Sequence, residues 1–178
     1  MAPNHERGIR MAFRARALWE HCDAIVVMAT TTKSIAHILN TLIETCRDGQ
    51  EGFRAASEDT KNEALKRLFS ELSIERGRFG TELQRIVATV GEEAETSGSI
   101  SGSLHRGWID LKSALSSGSE HSVLAECERG EDSAVAEYRE ALEHDELPQA
   151  VREVVNRQYL GVKESHDRIR DLRDAYSH

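Results

Sequence analysis

Residues 151–176, VREVVNRQYLGVKESHDRIRDLRDAY, carry the pattern that decides the fold. Apolar side chains recur at Val151, Val155, Val162, Ile169, Leu172 and Tyr176, and Gln158 and Ser165 fill the remaining slots of the same seam. A repeat near 3.5 residues lays one stripe of a long α-helix against its neighbours, whereas a half-buried strand alternates every second residue. The seam is apolar at both ends and polar in its middle.

Three other stretches share the period. Helix A is expected over 34–57, with Ile35, Leu39, Leu42, Cys46, Gly49, Phe53 and Ala56 inward and Ser34 as N-cap. After a polar turn at 58–62, helix B presents Leu65, Leu68 and Phe69, Leu72, Arg76, Phe79, Leu83, Ile86 and Val90. Helix C is expected over 120–145, with Val123, Leu124, Cys127, Glu131, Ala134, Tyr138 and Leu142 inward. Pro148 opens helix D, where its missing N–H costs little. The short A–B turn makes those helices antiparallel neighbours. The stretch 92–119 contains Ser97-Gly98-Ser99 and Ser101-Gly102-Ser103, then Leu104, Trp108, Leu111 and Leu115 at the spacing of a short amphipathic helix. A connection of that length can cross the bundle, so B and C run parallel. The expected fold is all-α: an antiparallel four-helix bundle over 34–178, with a long B–C crossover carrying a short extra helix.

Residues 1–33 read as an N-terminal extension. Arg7, Arg10, Arg14 and Arg16 alternate with small residues, and Glu20 and Asp23 interrupt the apolar run a signal peptide needs. Met28 precedes the polar lead Thr30-Thr31-Thr32-Lys33, so 1–27 is expected to be an upstream translation-start assignment or a short mobile helix.

Composition narrows the function classes. The chain has 178 residues, 39% hydrophobic and 30% charged, which suits one helical domain. A net charge of −8 argues against nucleic acid or an anionic membrane as partner. No apolar run reaches the roughly 18 residues of a membrane span. The 3 cysteines, Cys22, Cys46 and Cys127, lack metal-binding spacing and read as reduced thiols in a cytoplasm. Cys46 and Cys127 lie on apolar seams, where a thiol acts as a small hydrophobe.

The middle of the bundle is unusual. Gly49, Gly52, Gly77, Gly80, Gly130 and Gly161 cluster at its level. Each glycine inside a helix costs about 1 kcal/mol relative to alanine, a large sum against roughly 5–15 kcal/mol of net stability. Close packing, room for a bulky neighbour such as Trp108 or Tyr138, or a ligand cavity would offset it. At the same level Arg76 shares a seven-residue row with Phe69 and Leu83, and Glu131 a row with Leu124 and Tyr138. Gln50 lies in the row of Ile43 and His166 in that of Tyr159. Gln50, Arg76, Glu131 and His166 are therefore the expected polar core layer, with Arg76 and Glu131 paired because an isolated buried charge costs several kcal/mol.

The segments LNTLIETCRDG (39–49), HRGWIDLK (105–112) and CERGED (127–132) resemble a bacterial domain-of-unknown-function family of four-helix-bundle proteins in the ferritin-like superfamily. The resemblance runs from about Ile35 to Tyr176. It implies the ferritin-like fold and a bacterial source, and brings no established activity.

That superfamily raises the question of a di-iron site, built from a Glu on each of two helices and Glu-x-x-His on the other two. No Glu in this chain is followed three residues later by His, and Glu164 and His166 are two apart, on nearly opposite sides of a helix. Arg76 stands where such a site wants a ligand. No metal or other cofactor is expected; the alternative is iron or another transition metal held by Glu128, Glu131 and His166. Glycine motifs for phosphates or dinucleotides and a G-x-S-x-G elbow are missing, and no basic group is placed to activate Cys46 or Cys127, so no catalytic residue is nominated. The expectation is a cytoplasmic binding or assembly protein, homo-oligomeric through Trp108 and the crossover helix; a small-molecule carrier is a further alternative.

Overall fold

The computed structural model describes residues 5–89 and 119–177, with side chains described from Thr30 onward. Among these residues the chain forms four helices and no strand: α1 (His5–Asp59), α2 (Glu63–Thr89), α3 (Glu120–Glu143) and α4 (Gln149–Ala175). The expected crossover helix with Leu104, Trp108, Leu111 and Leu115 lies outside the described residues.

Local chemistry sets most helix ends. Asn62 Oδ1 accepts from the backbone N–H of Ala64 at 3.0 Å and Leu65 at 3.2 Å, satisfying donors that the first turn of α2 leaves free. Ser119 Oγ does the same for Ser122 N at the start of α3. Pro148 is the N-cap of α4 rather than its first helical residue, and its carbonyl accepts from Arg152 N at 2.9 Å. The Arg152 guanidinium in turn donates to the carbonyls of Leu142 and His144, closing the end of α3. Ser34, by contrast, caps nothing. α1 passes straight through it, because no glycine or proline between Ile9 and Asp48 interrupts the backbone.

The four helices pack as a square in which α1 touches α2 and α3, and α4 touches α3 and α2. Two apolar clusters fill it. One joins Ile35–Cys46 of α1 with Leu83, Val87, Ala134, Tyr138, Ala141, Val155 and Val162. The other joins Phe53 and Ala56 with Leu65, Leu68, Phe69, Leu72, Val123, Leu124, Cys127 and Ile169; Phe53 and Phe69 stack at 6.2 Å. This sorting fixes polarity: α2 and α3 run one way, α1 and α4 the other. Toward the bundle ends the buried stripe drifts from the strict 3.5 spacing, so Val87 and Ala141 rather than Ile86 and Leu142 are buried. A straight helix turns every 3.6 residues and slips about 20° per heptad.

Between the clusters the seams give way to small or polar residues, among them Gly49 on α1, Arg76 on α2, Glu131 on α3 and Ser165 on α4.

Candidate functional site

Arg76 and Glu131 face each other across the α2–α3 diagonal of the bundle. Arg76 Nη2 donates to Glu131 Oε2 at 2.8 Å, with both side chains only 1% exposed. The Ser165 hydroxyl closes the triangle, accepting from Arg76 Nη2 and donating to Glu131 Oε2. Arg76 Nη1 reaches Glu75 Oε1 at 3.2 Å, and the guanidinium lies 5.5 Å from the centre of the Phe79 ring. Burial alone would lower the Arg76 pKa, but the charge and hydrogen bond of Glu131 outweigh it and hold the group above its ordinary value. Glu75 moves up instead: burial dominates, Arg76 opposes it, and the charges of Glu131 and Glu164 add to it.

The mid-bundle glycines make room for this arginine. A Cβ at Gly49 would stand 3.3 Å from Arg76 Cγ and 3.4 Å from its Cδ. At Gly161 it would meet Phe79 Cζ at 3.1 Å and Glu75 Oε1 at 3.2 Å, the groups flanking the guanidinium. The bulky neighbours of Gly49 and Gly161 are therefore Arg76 and Phe79 rather than Tyr138, while Trp108 lies outside the described residues.

A second network lies about two turns away on α3 and α4. Cys46 Sγ sits 3.1 Å from Tyr138 Oη, which donates to Gln158 Oε1 at 2.8 Å. Gln158 Nε2 continues to Glu82 Oε2 at 2.8 Å, and Glu82 pairs with Arg157 at the surface. Burial is the largest single influence on Glu82 and resists its ionisation, but the hydrogen bonds from Arg157 and Gln158 together with the charges of Arg157 and Arg85 outweigh it and lower the pKa. Burial pushes the Cys46 thiol up to about 11, against partial relief from Tyr138 and Arg76. Tyr138 and Cys127 are also pushed well up, chiefly by burial. A protonated thiol in a dry core is a poor nucleophile.

Residues 34–144 match the family described as Domain of unknown function (DUF2383). This chain belongs to the DUF2383 family. The match covers the bundle part of α1, all of α2 and all of α3, so the Gly49, Arg76 and Glu131 members of the layer fall inside it. Ser165 and Gln158, on α4, fall outside the DUF2383 match. No curated protein matches the chain at a significant level.

The remaining residues nominated from sequence separate. Gln50 is exposed and does not join the layer; its amide lies over Gly77, which has no side chain to displace it, and only its backbone carbonyl accepts from Ser73. His166 sits at the rim, 17% exposed, with Nε2 2.9 Å from Asp132 and Nδ1 3.1 Å from Asp167. It lies one position past Ser165 on α4, and 100° of helical turn carries it out of the seam. Glu128 pairs with Arg173 of α4. The three proposed metal ligands, Glu128, Glu131 and His166, thus have three different partners. Among the described residues no group of three His, Cys, Asp or Glu is placed to hold a metal ion. The donor set does not fit a di-iron centre either, since the central position is held by the Arg76 cation. Ser165, Tyr138 and Gln158 were visible as seam members, but which of them touch across the core was not.

Among the described residues, two of the clefts on the bundle each measure about 80 Å³. One lies between α1 and α3 beside His37, Thr41, Glu137 and His144; the other lies between α1 and α2 beside Arg47 and Gly77. Both fall below the roughly 300–1,000 Å³ of drug-sized ligand sites.

Proposed function

We propose that this DUF2383 chain is a ferritin-like four-helix-bundle protein that works by binding or assembly rather than catalysis, in a bacterial cytoplasm, and that its polar layer sets helix order and register. One observation carries the reading: Arg76 and Glu131 satisfy each other, with Ser165, in a layer closed to solvent. A charge pair in that position penalises every helix arrangement that leaves either partner unmatched, which is the best-attested use of a buried polar group. The raised thiol and phenol pKa values supply no activated nucleophile beside it. The ferritin-like assignment is supported by the parallel run of α2 and α3, joined through residues 90–119. No helix among the described residues is long and apolar enough to cross a membrane.

The assembly part is tested by multi-angle light scattering across a concentration series. A homo-oligomer, most simply with closed symmetry, is the expected result. A monomer persisting at the highest concentration overturns it.

A further inference from the structure

Arg76 Nε is the one buried side-chain nitrogen or oxygen without a hydrogen-bond partner among the described residues. Native interiors rarely leave such a group unmatched, and a charged one least of all. Its position shows where the partner belongs. Nη1 and Nη2 turn toward Glu75, Glu131 and Ser165, whereas Cγ, Cδ and Nε are the atoms nearest the missing side chain of Gly49 on α1. Arg76 is also one of the residues lining the α1–α2 cleft.

The chemistry of the cleft is uniform. Its walls are Ile43, Arg47, Gln50, Arg76, Gly77, Gly80, Thr81 and Gln84, with no carboxylate among them, in a chain of net charge −8. Arg47 has no ion pair with any described residue, and the Gln50 amide lies over Gly77 at the cleft wall. Two guanidinium groups and two amides offer donors to a space of about 80 Å³, well above the 10–15 Å³ that one water needs, while the Thr81 hydroxyl already donates to the Gly77 carbonyl. Arginine presents a planar fork that matches oxyanions.

We propose that the α1–α2 cleft binds a small inorganic oxyanion, gripped by Arg47 at its mouth and by the Arg76 Nε–H at its floor. Glu131 and Ser165 hold the far side of the Arg76 guanidinium, so the polar layer doubles as the back wall of the site.

The test uses the full-length ¹⁵N-labelled protein and inorganic phosphate at constant ionic strength, following the arginine Nε–H resonances. Saturable shifts of the Arg76 and Arg47 resonances are expected, and Arg47→Gln should weaken binding at least tenfold. Arg47 makes no described hydrogen bond, so that variant should melt like the parent when phosphate is absent. Three outcomes overturn the proposal: no saturating shift, which leaves water as the only occupant; an equal response to chloride alone, which means ionic screening; or undiminished binding by Arg47→Gln.

Discussion

Replacing Arg76 by methionine removes the cation but keeps the aliphatic stem that packs on Gly49. Glu131, 1% exposed, then retains only the Ser165 hydroxyl. Leaving one member of a buried pair unmatched costs about 3–5 kcal/mol. For a chain of this size 1 kcal/mol moves the melting midpoint by about 2–4 °C, so Arg76→Met should lower it by about 6–20 °C. Glu131→Leu should cost about 3 kcal/mol, somewhat less because Glu75 remains beside Arg76 at 3.2 Å. The double variant Arg76→Met/Glu131→Leu leaves no buried charge in the layer, and a hydrophobic replacement of a buried pair is often neutral or better. It should lie within about 1 kcal/mol of the parent, giving a coupling energy above about 3 kcal/mol. Urea unfolding followed by circular dichroism at 222 nm measures all four proteins. Single variants that each cost under about 1 kcal/mol, or a double variant as unstable as the sum of the singles, would refute the sealed-pair reasoning.

Four other predictions rest on neighbouring contacts. Tyr138→Phe removes the hydroxyl between Cys46 and Gln158 and should cost about 1–3 kcal/mol in the same unfolding assay, since Gln158 Oε1 loses its donor in a buried site. Gly161→Ala gains about 1 kcal/mol of helix propensity but drives a methyl to 3.1 Å from Phe79, and overpacking of about 1–3 kcal/mol should make it a net loss; an unchanged or raised midpoint would contradict the packing described. Cys46 and Cys127 should resist iodoacetamide at neutral pH and react only on unfolding, which peptide mapping by mass spectrometry reads directly. Glu75 has a raised pKa, so its charge opposes folding increasingly as pH rises from its ordinary value of 4.5 through the folded-state value. Glu75→Gln should therefore gain on the parent in melting midpoint over that window and hold a modest advantage above it; a difference that does not change with pH would count against the assignment.

Much of this arrangement is legible in the sequence. Heptad spacing alone put Arg76 and Glu131 inward, because a residue seven places from Phe69 or Leu124 returns to nearly the same helix face. Opposite charge and the cost of burying either alone made them partners. The same periodicity failed for Gln50 and His166. Each stands one position beyond the inward residue of its helix, Gly49 and Ser165, and near the edge of a stripe a single 100° step separates core from rim. Ser34 failed for another reason: a serine favours a cap only where the preceding backbone leaves the helix, and nothing before it does.

The sequence by itself determined what is local or periodic: four helical segments, their buried faces, the polar turn at 58–62, and a polar level midway along each seam. Tertiary structure decided which groups meet across the core. The diagonal reach of Arg76 to Glu131, its closure by Ser165 and the Cys46–Tyr138–Gln158 chain all join residues on different helices. Their contacts depend on axial offsets and side-chain rotamers that only the packed assembly sets. A heptad pattern reports which way a residue points and leaves open what lies opposite it.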